Sequence, residues 1–220
     1  MSVRRDMLTS VIAVLACTLV LGLGYPLAVT AVSQLAFKDK ANGERVNVSG
    51  RLAGSKLIGQ AFTRQLVKAG KPQVDANGNP VTAPDPRYFQ SRPSATVPPD
   101  NAAGSSFSNL GPNNKVTEQA IAANVQAYLQ LERRYTPGLS AAGVPVDAAD
   151  SSASGLDPDI SQANARIQAN RVAAVRRISR AAVLSEIAQH TDGRTLGVFG
   201  EPGVNVLELN LALNRMGEDA

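Results

Sequence analysis

The chain has no tryptophan, one cysteine, one histidine and only 4 % aromatic residues in 220. A lone cysteine, Cys17, rules out a disulfide framework or a thiolate metal site within one chain. A lone histidine, His190, rules out the two-histidine zinc motif of metalloproteases, and its place near a helix end reads as structural. Gly-x-Ser-x-Gly is absent, so there is no nucleophile elbow. Gly50–Lys56 (GRLAGSK) comes nearest to a phosphate loop. There, however, Ser55 separates Gly54 from Lys56, and Leu57 stands where a hydroxyl would hold magnesium. The net charge of +4 suits an exposed domain or one near anionic lipid. No basic run is interleaved with aromatics, which argues against nucleic-acid binding.

What is present is one long stretch without charge. Met7–Phe37 reads MLTSVIAVLACTLVLGLGYPLAVTAVSQLAF, bounded by Asp6 and Lys38. About 20 apolar residues cross a bilayer, and some thirty would make a helix about 45 Å long. The stretch therefore spans with residues to spare or with tilt, its core at Leu8–Val29. Gly22, Gly24 and Pro26 lie in its second half, where a neighbouring helix can pack against small residues and restore lost backbone bonds. Two other readings exist. Arg4 and Arg5 could begin a cleaved signal, but this run is twice the ~7–15 residues of a signal core. Val14-Leu15-Ala16-Cys17 looks like a lipid-attachment box, but the residues after Cys17 stay apolar. Arg4 and Arg5 precede the span, while Lys38, Lys40, Arg45 and Arg51 follow it, so charge leaves the orientation open.

The expected fold is α+β. One N-terminal transmembrane helix (residues 1–37, with the tail) is followed by a single soluble domain (38–220) of short strands and about four helices. Val46–Ser49 and Leu52–Gly59 read as strands. Gln60–Ala69 has helical spacing in Phe62, Leu66 and Val67, with Gly70 as its stop. Residues 70–114 form a long Gly/Pro/Asn-rich loop region, in which Lys71–Pro84 is a surface excursion turning at Asn77-Gly78. Lys115–Tyr135 is the clearest soluble helix. Val144–Val146 reads as a strand. Asp157 as N-cap and Pro158 in the first turn open another helix, and Ser179–Gln189 makes a further one. Leu196–Phe199 reads as a strand, and a last helix runs from Asn205. Phe62, Tyr88, Phe89, Phe107, Tyr128, Tyr135 and Phe199 are the large side chains available to a thin core.

Little in the soluble part carries chemistry. Asp147, Asp150, Asp157 and Asp159 read as caps, turns and solvated surface before they read as a cation site. Ser151, Ser152, Ser154 and Gly155 could offer backbone N–H groups to a nucleotide phosphate at a helix start, against an ordinary turn. The loops Tyr88–Ser94 and Ser105–Pro112 could line a pocket. On that alternative the chain is a membrane-anchored enzyme or solute-binding protein with its site in 85–112.

Several motifs follow one another in order: Gly24-Tyr25-Pro26-Leu27, Gly54–Gln60, Tyr88–Ser94, Ser108–Pro112, Ser152–Pro158, Gln168–Ala173, Gly203–Leu207 and Leu209–Leu213. In this order they strongly resemble the C subunit of the bacterial high-affinity potassium-transporting ATPase, the Kdp system, over nearly the whole chain. The resemblance implies a non-catalytic accessory subunit in a complex that imports potassium with ATP, needed for assembly. It implies two partners, a channel-like potassium-binding subunit and a P-type ATPase subunit, besides membrane lipid. It also implies a single-pass protein of the inner membrane whose soluble domain lies outside. The Asp-Lys-Thr-Gly-Thr phosphorylation motif is missing, since Asp39-Lys40 continues as Ala41-Asn42. Such a subunit is regarded as a catalytic chaperone that raises ATP affinity. No cofactor is then held firmly, and ATP enters only through a ternary complex. An external domain cannot touch cytoplasmic ATP, which favours a clamp or lid on the channel-like subunit. The motif residues Gly59, Gln60, Phe89, Arg92, Ser108, Asn109, Gly111, Asp157, Arg171, Asn205 and Asn210 are expected either to hold their own loops or to contact a partner.

Overall fold

The computed structural model describes residues 3–96, 98–104 and 109–218. The chain divides into two units, Met1–Arg45 and Val46–Ala220.

The first unit is helical. α1 (Val3–Cys17) runs through a π-helical stretch, Thr18–Gly24, into α2 (Tyr25–Ala36). Together they form one 34-residue helix whose most apolar 18-residue stretch has a mean hydropathy of 2.3, long and apolar enough to cross a membrane. The π stretch has a local cause. Pro26 lacks an N–H, and its ring would press on the carbonyl of Gly22 in a regular helix. Wider winding just before it relieves that clash, and Tyr25 N–H donates to Val20 O five residues back. Phe37 breaks the helix, and the short α3 (Lys38–Ala41) follows.

The second unit opens on ribbons. β1 (Arg45–Val48) pairs with β2 (Arg51–Ser55). Ser49 and Gly50 both have positive φ, as a two-residue hairpin turn requires. β3 (Thr63–Gln65) pairs antiparallel with β6 (Thr82–Pro84), and β4 (Val67–Lys68) pairs with β5 (Lys71–Pro72). The helix expected at Gln60–Ala69 is therefore not formed. Ten residues are too few to sustain a helix without packing, and Gly70 turns a hairpin with Ala69 instead of stopping a helix. The excursion does turn at Asn77-Gly78, where the Asp75 carboxylate accepts from the N–H of Asn77 and of Asn79.

Helices supply the rest. α4 (Lys115–Glu132) is capped by Asn114, whose side chain accepts from Val116 N–H. Val144–Val146 is not the expected strand. A 3-10 turn, Ala141–Gly143, leads into α5 (Val146–Ala149). Asp157 does not cap a helix either. Its carboxylate accepts from Asp159 N–H, and β7 (Asp159–Ser161) intervenes. Ser161 then caps α6 (Gln162–Arg176). α7 (Arg180–Gln189) is capped by Ser179. β8 (Thr191–Asp192) and β9 (Gly203–Asn205) complete a three-stranded antiparallel sheet in the order β7-β9-β8. Thr195–Phe199 makes an isolated bridge in place of the expected strand. α8 (Val206–Glu218) follows.

The core joins this sheet to α6, α7 and α8. Ile160 and Val204 come from the strands, Ala165, Ala169 and Val172 from α6, Val183 and Ile187 from α7, and Leu209 and Leu213 from α8. Among the described residues Phe89 is the one aromatic fully buried there. Phe199, expected inside, is 65 % exposed.

Candidate functional site

The residues 85–96 have no helix or strand of their own, so their backbone groups need partners from elsewhere. Two amide side chains supply them. Phe89 N–H donates to Asn210 Oδ1 at 2.8 Å, and Asn210 Nδ2 donates back to Phe89 O at 3.0 Å. Gln90 N–H donates to Gln168 Oε1 at 2.8 Å, and Gln168 Nε2 donates to Gln90 O at 3.0 Å. Asn210 on α8 and Gln168 on α6 thus each imitate one rung of a β ladder. Both are buried.

Arg171 is the hub beneath them, fully buried on α6. Its Nε donates to Glu132 Oε1 at 2.8 Å, its Nη1 to the carbonyls of Pro86 and Tyr88, and its Nη2 to Gln168 Oε1. Burial pushes the Glu132 carboxyl up, and the Arg171 charge offsets that only in part. Glu132 Oε2 has no hydrogen-bond partner. Tyr128 OH donates to Asn164 Oδ1, whose Nδ2 donates to Asp147. The Asp147 carboxylate also accepts from the N–H and hydroxyl of Ser161. Arg176 lies 4.7 Å over the Tyr88 ring and donates to Arg87 O and Leu213 O. The loop is thereby tied to α4, α6 and α8 at once.

Farther along, Arg92 Nη1 donates to Asp157 Oδ2 at 3.0 Å and Nη2 to Ser151 O at 3.4 Å. Ser94 Oγ donates to Gly155 O at 2.7 Å. Ser151–Gly155 precedes a strand, not a helix. Its backbone turns on itself, Gly155 N–H donating to Ser152 Oγ and Leu156 N–H to Ser154 Oγ. Two N–H groups that could face a phosphate are thus engaged within the segment.

Between the Gln90–Ser94 segment and α4 lies an open cleft of about 410 Å³. Gln168 and Asn164 line it, with Tyr128 and Leu131 of α4, and Asp100 sits at its edge. Burial pushes the Asp100 carboxyl up to about 6. Among the described residues no group of three or more His, Cys, Asp or Glu converges on a metal position.

The remaining motif residues fall into distinct surroundings. Gly59 N–H donates to Leu156 O at 2.8 Å, and a Cβ there would stand 2.7 Å from Asp157 O. Gln60 O accepts from Ser91 Oγ. Asn205 donates to Lys56 O and Asp159 Oδ1 and accepts from Glu208 N–H, capping α8. Asn109 and Gly111 are exposed, and nothing lies within 4 Å of a Cβ built on Gly111. Ser108 lies outside the described residues. On the membrane helix, Gly22, Gly24 and Pro26 are all exposed. A Cβ on Gly22 would meet only Thr18 Cγ2, at 3.7 Å. Sequence reasoning passed over Glu132 and Asn164, and took Tyr128 only for a core aromatic. Each is an ordinary polar residue on an amphipathic helix, and only the fold reveals what it touches.

Comparison with known proteins covers nearly the whole chain. The family described as KdpC, K+-transporting ATPase, c chain, matches residues 7–215. The chain is 40 % identical over 211 residues to the potassium-transporting ATPase KdpC subunit of Koribacter versatilis, covering 96 % of this chain and 95 % of that protein. It is 43 % identical over 213 residues to the KdpC subunit of Mycobacterium tuberculosis, covering 97 % and 100 %. With that of Methylibium petroleiphilum the identity is 44 % over 206 residues, covering 93 % and 94 %.

Proposed function

This chain belongs to the K+-transporting ATPase c-chain family, and we propose that it acts as a non-catalytic accessory subunit that shapes and holds an ATP-driven potassium import complex. The observation that carries this reading is a match running from the membrane helix to α8. Within it, Arg92, Asp157, Arg171, Asn205 and Asn210 bond to the chain's own backbone and charges. Residues used in this way build a fixed surface for a partner. The partners are a potassium-selective channel-like subunit and the ATP-hydrolysing subunit.

The soluble unit lies outside the cell on this reading. Any effect on ATP affinity then reaches the catalytic subunit by shifting the populations of pump states, because a ligand can bias an equilibrium without touching the distant site. Cells lacking this chain are expected to fail to grow at micromolar potassium and to regain growth when it is restored. Growth without it would overturn the role. Asn77→Cys in a Cys17→Ala background reports the side. Labelling of intact cells by an impermeant maleimide places the unit outside, whereas labelling only after lysis places it inside and makes direct ATP contact the reading to test. Gly22→Leu is expected to lower co-purification of partner subunits about fivefold. Within the chain a Cβ there would make only an ordinary contact, with Thr18 Cγ2, and small residues permit close helix approach in membranes.

A further inference from the structure

The turn between β8 and β9 carries three large apolar side chains into water. Leu196 is 86 % exposed, Val198 66 % and Phe199 65 %. Leu196 is unfavourable twice over in the free chain. It is exposed, and it holds φ +55° with Gly197 at +77° behind it. A turn with two left-handed central residues favours Asn, Asp or Gly at the first of them. A leucine there is strained by roughly 1–3 kcal/mol, and asparagine would serve the fold better. The tip is nevertheless built firmly. Thr195 N–H donates to Phe199 O at 2.8 Å, Phe199 N–H donates to Thr195 O at 3.0 Å, and Gly197 N–H donates to Arg194 O. At the base, Arg194 Nη2 bonds both oxygens of Glu201, at 2.7 and 2.9 Å.

A rigid, strained turn that displays apolar side chains is preorganised for binding, since little freedom remains to be lost. We propose that Leu196, Val198 and Phe199 form an anchor that inserts into an apolar pocket on another protein subunit of the complex. This rests on the reading of the chain as such a subunit. Two other occupants fit less well. Anionic lipid attracts segments with free basic residues. Here Arg194 is neutralised by Glu201, and with Asp192 the flanks sum to a single negative charge. A second copy would need a self-complementary patch contributing to about 1,200 Å² or more of buried surface. Three side chains on a convex turn do not provide that. A single knob entering a pocket is how a buried aromatic anchor works at a hot spot.

The test uses the full-length chain co-expressed with the other subunits of its complex. A benzophenone amino acid replaces Phe199, and the crosslinked product is identified by mass spectrometry. A crosslink to a named subunit of the complex is expected. A crosslink to lipid, to a second copy, or to nothing overturns the anchor. In parallel, Leu196→Asn/Phe199→Ser is expected to lower recovery of partner subunits at least fivefold, without lowering the chain's own melting temperature. Undiminished recovery also overturns the inference. Failure of the wild-type chain to recover any partner would instead sink the subunit reading on which it rests.

Discussion

Asn210 holds the backbone of Phe89 in both directions, accepting from its N–H at 2.8 Å and donating to its carbonyl at 3.0 Å, 121 positions away in sequence. Because Phe89 is the aromatic centre of the core, this pair joins a strandless loop to the last helix and fixes where Gln90–Ser94 runs.

Asn210→Ala removes both bonds and leaves two buried backbone groups unpaired. Each costs about 1–3 kcal/mol, so a loss of roughly 2–6 kcal/mol is expected, or about 4–24 °C in melting temperature for a chain this size. Circular dichroism of the full chain in detergent measures it. A melt within 2 °C of wild type would show that the loop does not depend on the clamp.

The Glu132–Arg171 pair predicts a non-additive result. Both side chains are fully buried, and breaking a buried pair from one side costs about 3–5 kcal/mol because a charge is left uncompensated. Glu132→Gln should fall in that range. Arg171→Met should be worse, since it also takes the Nη1 donor from Pro86 O and leaves Tyr88 O only the Gln90 Nε2 donor. The double variant Glu132→Leu/Arg171→Met should lose clearly less than the sum of the two separate losses. Additive losses in a double-mutant cycle would show that the charges do not depend on each other.

Much of this was legible in the sequence, and what was not has a physical reason. The membrane helix follows from composition, and α4, α7 and α8 follow from period and caps. The segment 60–69 misled because its apolar spacing fits a helix, while Ala69-Gly70 turns a ribbon only when Lys71 and Pro72 lie opposite. Asp157-Pro158 carries the signature of a helix start, yet Val204 claims Ile160 for the sheet, and the helix waits for Ser161. Asn205, Asn210 and Arg171 could be picked out by motif. That Gln168 would grip Gln90, or that Glu132 would face Arg171, lies in contacts 78 and 39 positions apart, which no local pattern encodes.

Asp100 predicts a pH dependence. Its folded pKa, about 6, lies above the unfolded value near 3.8, because burial disfavours the charged form. The native state therefore binds the proton more tightly, and stability declines as pH rises from about 4 to about 6. Asp85 acts in the opposite sense, since its bonds to Arg87 hold its carboxyl below the usual range. The useful quantity is thus the difference between wild type and Asp100→Asn. Asparagine tolerates the positive φ at this position and does not titrate. The variant should be relatively more stable at pH 7 than at pH 4. A wild-type-minus-variant difference that stays flat across that window would show that Asp100 does not contribute.

Gly59 and Gly111 separate the two roles a motif residue can have. At Gly59 a methyl group would meet the backbone oxygen of Asp157 at 2.7 Å, where no side chain can swing away. Gly59→Ala should therefore cost about 1–3 kcal/mol, as overpacking does, and any loss of complex should follow from that lost stability. Gly111 is exposed, with nothing within 4 Å of an added Cβ and no left-handed backbone to preserve. Gly111→Ala should leave the melting temperature of the isolated chain unchanged. If Gly111 meets a partner closely, the same variant should still lower recovery of the assembled complex, and Gly111→Leu should lower it further. Wild-type recovery with both would leave Gly111 neither a structural nor a contact residue, and the Asn109–Pro112 segment would drop out of the interface.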